Sequence, residues 1–226
     1  NASLDDSVLT LSLIENLNGF GTVTISASDV VSRLSVQDSF DVTVTPINDA
    51  PVADDLTVDA YEDFPKEILL SGFDIDGDPL TFSVVTYPTY GTLSGSEPNL
   101  TYSPDANYNG NDSFTFKVND GETDSETQGT VSITVNAVND PPVANDESIT
   151  LSEDGSATII LTGTDVDTDD DSLSIVIVDS TSHGTLTYIR VLAEYIYTPD
   201  INYHGEDSFT YHVFDGQDIS DMAHVT

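Results

Sequence analysis

The chain contains no cysteine and no tryptophan, and only 4 of its 226 residues are Lys or Arg. Without Cys, disulfides and thiolate metal centres are excluded. The scarcity of cations, set against 41 Asp and Glu for a formal charge of −37, excludes nucleic acid as a partner, because phosphate binding rests on Lys and Arg. The same sign argues against anionic membrane surfaces. No apolar run approaches the roughly 18 residues of a membrane span, so no membrane insertion is expected, and the first residues carry no signal peptide. The chain opens in mid-pattern and reads as an internal piece of something longer. No segment has the 3.6-residue period of an amphipathic helix, and neither GxSxG nor a phosphate-loop pattern occurs.

What is present is Asp. Only ten of the 41 acidic residues are Glu, whereas a merely solvated acidic surface would use both. Short Asp side chains in Gly-containing turns are what oxygen-ligand cation sites use, and bound divalent cations relieve the self-repulsion that so many carboxylates impose. A chain without disulfides outside the cell needs another staple, and calcium would serve.

The acids recur in register. "PINDAPVADD" at 46–55 returns as "AVNDPPVAND" at 137–146, so that Asn139 follows Asn48 by 91 residues. At that offset residues 9–55 align with 100–146 without a gap, placing Asp29 over Asp120. A third copy follows: "YSPDANYNGNDSFTFKVNDG" at 102–121 answers "YTPDINYHGEDSFTYHVFDG" at 197–216. The extra residues fall in turns, as insertions in a true repeat should. "SFTFKV", "SFTYHV" and "TVSITV" alternate apolar and polar residues and are bounded by Gly, Asn, Asp and Pro, which indicates strands. Several short strands in about 90 residues indicate a β-sandwich. We divide the chain into the second half of one repeat (1–46), a complete repeat (47–138) and a repeat lacking the end of its last strand (139–226). Half a sandwich cannot bury its inner face, so residues 1–46 are expected to need further chain or a neighbouring molecule.

The loops "DIDGDPL" (74–80) and "DVDTDDDSL" (165–173) raise the chemical question, since Asp74, Asp76 and Asp78 stand at every second position. An Asp-x-Asp pair in an extended turn aims two carboxylates at one point, where a calcium ion taking about six to eight oxygens would hold them together. Asp78 is either a ligand or a turn former. In the third copy its role falls to Asp169, Asp170 or Asp171.

Taken in order, the "NDAP" and "NDPP" junctions, these loops, "HGTL", "YTPDINYHGEDSF" and the "NDG" and "FDG" turns resemble the bacterial cadherin-like tandem repeats of large surface adhesins and secreted multidomain proteins. The resemblance covers essentially the whole chain. It implies an all-β fold of cadherin- or immunoglobulin-like Greek-key sandwiches in a linear array, with calcium between successive domains. It assigns the linker ligands to Asn48 with Asp49 and to Asn139 with Asp140. It assigns the Asp-x-Asp pairs to Asp74 with Asp76 and to Asp165 with Asp167, and the later turn Asp to Asp120 and Asp215. The early Glu of the preceding domain matches Glu62, with Glu153 its counterpart one repeat later. The family's Asp-x-Glu element is not matched: "SPDANYNG" offers Asp105 and Asn107.

The resemblance implies an extracellular, non-enzymatic segment of a bacterial surface or matrix protein, rigidified by calcium and acting as spacer or adhesion rod. The alternative is a calcium-dependent polysaccharide-binding module using exposed aromatics such as Tyr87, Tyr90 and Tyr188. Neighbouring copies of the same chain are further candidate partners. The four histidines, His183, His204, His212 and His224, have no zinc spacing and read as surface or strand residues.

Overall fold

The computed structural model describes residues 2–5, 8–28, 31–190 and 194–226. Asp29 falls outside them, as does the side chain of Asp171. Two compact units divide the chain, 1–136 and 137–226.

The first unit begins with two hairpins. β1 (Ala2–Asp5) pairs with β2 (Val8–Leu11), and β3 (Gly19–Ser28) pairs along its whole length with β4 (Ser35–Val44). One face of the second hairpin carries Val23, Ile25, Phe40, Val42 and Val44, as period-two alternation requires. That face is largely open: Ile25 is 45% and Phe40 41% exposed. The matched positions one repeat later, Phe116 and Val131, are both 0% exposed. The sequence pattern is the same and the covering sheet is what differs.

The rest of the unit is a complete sandwich. Its strands are β5 (Val52–Ala53), β6 (Leu56–Tyr61), β7 (Lys66–Leu69), β8 (Gly72–Phe73), β9 (Thr81–Thr86), β10 (Gly91–Ser96), β11 (Asn99–Pro104), β12 (Gly110–Asn119) and β13 (Gly129–Asn136). One sheet has the order β6-β13-β12-β9 and the other β10-β11-β7, with β5 and β8 as a short added pair. β6 and β13 run parallel, and every other pairing is antiparallel. The chain crosses between the sheets from β6 to β7, from β9 to β10 and from β11 to β12, while β10–β11 and β12–β13 pair as neighbours within a sheet, which is Greek-key connection. Phe114, Phe116 and Val118 of β12 and Val131, Ile133 and Val135 of β13 point inward against Ile68, Leu100 and Tyr102 of the facing sheet, and all are buried. Each such side chain contributes about 1.5–3 kcal/mol on burial.

The second unit repeats the plan with β14 (Val143–Ala144), β15 (Ala157–Ile159), β16 (Gly163–Thr164), β17 (Ser174–Asp179), β18 (Gly184–Ile189), β19 (Glu194–Pro199), β20 (Phe209–Phe214) and β21 (Ala223–Val225). Its sheets are β17-β20-β21 and β15-β19-β18, around Phe209, Tyr211, Val213, Ile159 and Leu161. A single 3-10 turn, Asp170–Ser172, lies in the longer acidic loop. Among the described residues no helix is long and apolar enough to cross a membrane.

The register fixes two ends in the complete sandwich. β12 starts at Gly110 opposite Val135, beside the end of β6, and finishes at Asn119 opposite Thr81. At about 3.4 Å per residue these ends lie roughly 30 Å apart.

Candidate metal centre

At the Asn119 end of the first unit, three pieces of chain converge. Asn48 Nδ2 donates to Oδ2 of Asp120 at 2.9 Å, and the amide of Asp49 donates to Oδ2 of Asp76 at 2.8 Å. Asp74, which directly follows β8, turns the loop around its own side chain: its Oδ1 accepts the amides of Asp76 (2.9 Å), Gly77 (2.9 Å) and Asp78 (3.2 Å). Gly77 sits at φ +83, a conformation that favours Gly. Asp120 folds the turn after β12 in the same manner, its Oδ1 accepting the amides of Glu122 and Thr123 at 2.7 and 2.6 Å. Hydrogen bonds from the Thr123 amide, the Asn48 side chain and the Glu122 amide hold the Asp120 carboxyl below its ordinary range.

Asp74 is only 5% exposed, and its Oδ2 is buried with no hydrogen-bond partner. Among the described residues, Asp74, Asp76 and Asp78 alone bring three such ligand atoms within 4.8 Å of one another. A buried carboxylate oxygen without a donor is costly, and a hard cation is the ligand that would satisfy it. The residues therefore fit calcium.

The second unit rebuilds the same arrangement. Asn139 Nδ2 donates to Asp215 Oδ2 at 2.8 Å, the amide of Asp140 to Asp167 Oδ2 at 2.7 Å, and the amides of Asp167 and Thr168 to Asp165 Oδ1, each at 2.7 Å. Asp165 Oδ2 is again buried and unpartnered. The bond from Asn139, then those from the Gln217 and Asp218 amides, lower the Asp215 carboxyl. Asp169 and Asp170 are exposed. Asp218 also accepts from Asn139, at 3.1 Å. Sequence reading missed Asp218 because the matching residue one repeat earlier is Thr123.

Glu62 and Asp105 lie at the opposite end of the first unit. Glu62 directly follows β6, its amide bonds to the Asn136 carbonyl, and its carboxylate accepts from Asn109 Nδ2 at 3.4 Å. It is 0% exposed. The loop with Asp105 is tied to the same place, for the amide of Asn107 donates to Asp63 Oδ1 at 3.2 Å. In the second unit the Asn202–Asp154 bond recurs at 3.2 Å, but Glu153 is exposed and His204 stands where the first unit has Asn109.

The aromatic candidates are placed otherwise. Tyr90 stacks on Tyr108 at 4.3 Å, and His183 on Tyr203 at 4.3 Å. Tyr188 lies tilted against Tyr195, and Tyr87 is exposed.

The two sandwiches and their recurring acidic ends define a tandem immunoglobulin-like repeat protein. The family model described as bacterial Ig domain matches residues 48–134 and again 139–226. The chain belongs to that family. Among solved structures, human protocadherin-24 EC1-2 is similar at 17% identity, with 79% of this chain and 98% of that one covered and a TM-score of 0.53. That likeness shows the fold. The extracellular domain of protocadherin GammaB4 (16% identity, 91% of this chain and 39% of that one, TM-score 0.49) and the endo-fucoidan hydrolase MfFcnA4 (20%, 100% and 36%, TM-score 0.37) resemble it less closely in shape. The chain spans about a third of that hydrolase. No curated protein matches.

Proposed function

We propose that the chain is a non-enzymatic, calcium-binding segment of an extracellular bacterial protein, in which calcium stiffens successive repeats into a spacer or adhesion rod. The observation that carries this reading is Asp74, a buried carboxylate with one oxygen saturated by three amides and the other unpartnered beside Asp76 and Asp78. Asn48, Asp49 and Asp120 complete one set, and Asn139, Asp140, Asp165, Asp167 and Asp215 the other. Glu62 and Asp105, at the opposite end of the first unit, are the remaining candidate ligands. The chain divides into repeats at 46 and 138. When bound, calcium supplies charge neutralisation. The protein's part is to aim oxygens and to hold the loops that carry them.

Calorimetric titration of calcium into the chelator-treated chain tests this, paired with thermal melting and small-angle scattering. Calcium should raise the melting temperature, since an ion bound only by the folded state stabilises it by mass action, and should narrow the scattering to one extended shape. Unchanged melting in chelator at low salt would reject calcium binding. A compact particle in calcium would reject the rod. Glycan arrays with and without calcium decide the polysaccharide reading, in which Tyr87 and Tyr188 are the residues to change.

A further inference from the structure

In both units one buried serine closes the turn that carries the late aspartate. Ser125 Oγ accepts the amide of Val118 at 3.3 Å, while the Ser125 amide donates to the Val118 carbonyl at 2.7 Å. Ser220 does the same with Val213, at 2.9 Å in both directions. Both serines are buried, at 2% and 3% exposure. The loop between each pair holds Asp120 or Asp215 two residues beyond the valine, with Gly121 at φ +103 and Gly216 at φ +111. Beyond the valine the strand stays paired on one side, Asn119 to Thr81 or Phe214 to Ser174, while on the side of the turn it is held by one isolated bridge, Asn119 to Asp124 or Phe214 to Ile219. The serine hydroxyl therefore substitutes for a strand neighbour, satisfying a buried amide on the side where the adjoining strand has ended. It also fixes where the returning chain leaves the sheet.

We propose that Ser125 and Ser220 are positioning residues of the two calcium sets, holding Asp120 and Asp215 at the distance from Asn48 and Asn139 that the ion requires. The inference rests on the calcium reading. Neither serine touches the ion: each acts through a four-residue turn whose other anchors are the aspartate's own bonds to the amides two and three positions on. Replacing the hydroxyl leaves a buried amide unsatisfied, and the turn relaxes outward and takes the carboxylate with it.

The test is calcium titration by calorimetry of the full chain, unmodified and as Ser220→Ala and Ser220→Thr, with hydrogen exchange at Val213 measured in chelator. In Ser220→Ala one class of calcium site should weaken about tenfold while the other is unchanged, and the Val213 amide should lose protection. Thr, which keeps the oxygen, should restore both. Should Ser220→Ala fail to fold, Ser125→Cys is the substitute, because it nearly keeps the volume while weakening the acceptor. Lost protection with calcium affinity untouched overturns the inference and makes the serine structural only. No calcium uptake by the unmodified chain overturns the calcium reading and this inference together.

Discussion

The hydroxyl of Tyr102 donates to Oδ2 of Asp112 across 2.9 Å in the buried interior of the first unit, joining β11 to β12 and so one sheet to the other. The carboxylate is also held by the amides of Thr89, Tyr90 and Ser113. Asp207 repeats all four bonds with Tyr197, Ser182, His183 and Ser208. Removing Asp112 strands the buried Tyr102 hydroxyl and three part-buried amides at once, so Asp112→Ala should cost about 2–4 kcal/mol. Urea melts of the first unit check this, and a loss under about 1 kcal/mol would show that water replaces the carboxylate.

The Tyr197–Asp207 pair bounds stability at both extremes of pH. Burial, then the bond and charge of Asp207, push the Tyr197 phenol up from 10.0 to about 12. Its contribution is complete below pH 10.0 and lost as pH rises through about 12. Burial pushes the Asp207 carboxyl up, but the bonds from Ser182, Tyr197, His183 and Ser208 outweigh it, and the net shift is below 3.8. That contribution is present above 3.8 and lost as pH falls through the lowered value. Melting temperature against pH for the chain and for Tyr197→Phe should show the alkaline limb flattened in the variant.

Calcium affinity should follow the Asp-x-Asp pair. Asp165→Asn with Asp167→Asn keeps the shape and removes the charge a hard cation prefers, so calorimetry should show the second unit's set weakened at least about tenfold, or about 1.4 kcal/mol. The melting of the first unit in chelator should not move.

Gly91 and Gly184 make room for an aromatic ring and a carbonyl of the neighbouring strand in their own sheet. A Cβ on Gly91 would stand 2.6 Å from both the Ser103 carbonyl oxygen and the Tyr102 ring, and one on Gly184 2.5 Å from the Tyr197 ring. Neither glycine needs its conformational freedom, so the cost of Gly→Ala is overpacking alone, about 1–3 kcal/mol. Equilibrium unfolding of the two variants measures it.

Removing residues 1–46 should change the melting of the following repeat by no more than a few degrees, because every member of its buried cluster lies between Ala53 and Val135. A large drop would mean that the open hairpin β3–β4 supports that core.

The strands were legible because alternation in "SFTFKV" or "TVSITV" needs only period two. The acidic set at the Asn119 end was legible because recurrence marks Asn48, Asp74, Asp76 and Asp120 together. Asp112 and Asp207 recur just as plainly in "NDSF" and "EDSF". Their role was hidden because it depends on which loop crosses over them, and spacing does not encode that. Glu62 and Glu153 share a sequence position but not an environment. The Glu62 amide bonds the Asn136 carbonyl and its carboxylate accepts from Asn109, whereas Glu153 is exposed and His204 stands at the position of Asn109. Ser125 and Ser220 carried no composition signal, since a serine in a polar turn is ordinary until its burial is known.

The bond from Asn48 to Asp120 opens and closes inside one repeat, as does that from Asn139 to Asp215. Excising or duplicating one period of 91 residues therefore splits no such pair and leaves each surviving repeat with its own set. For such an array, copy number is a free variable: gain or loss of a whole period lengthens or shortens the protein in whole-domain steps, and reach is inherited separately from chemistry.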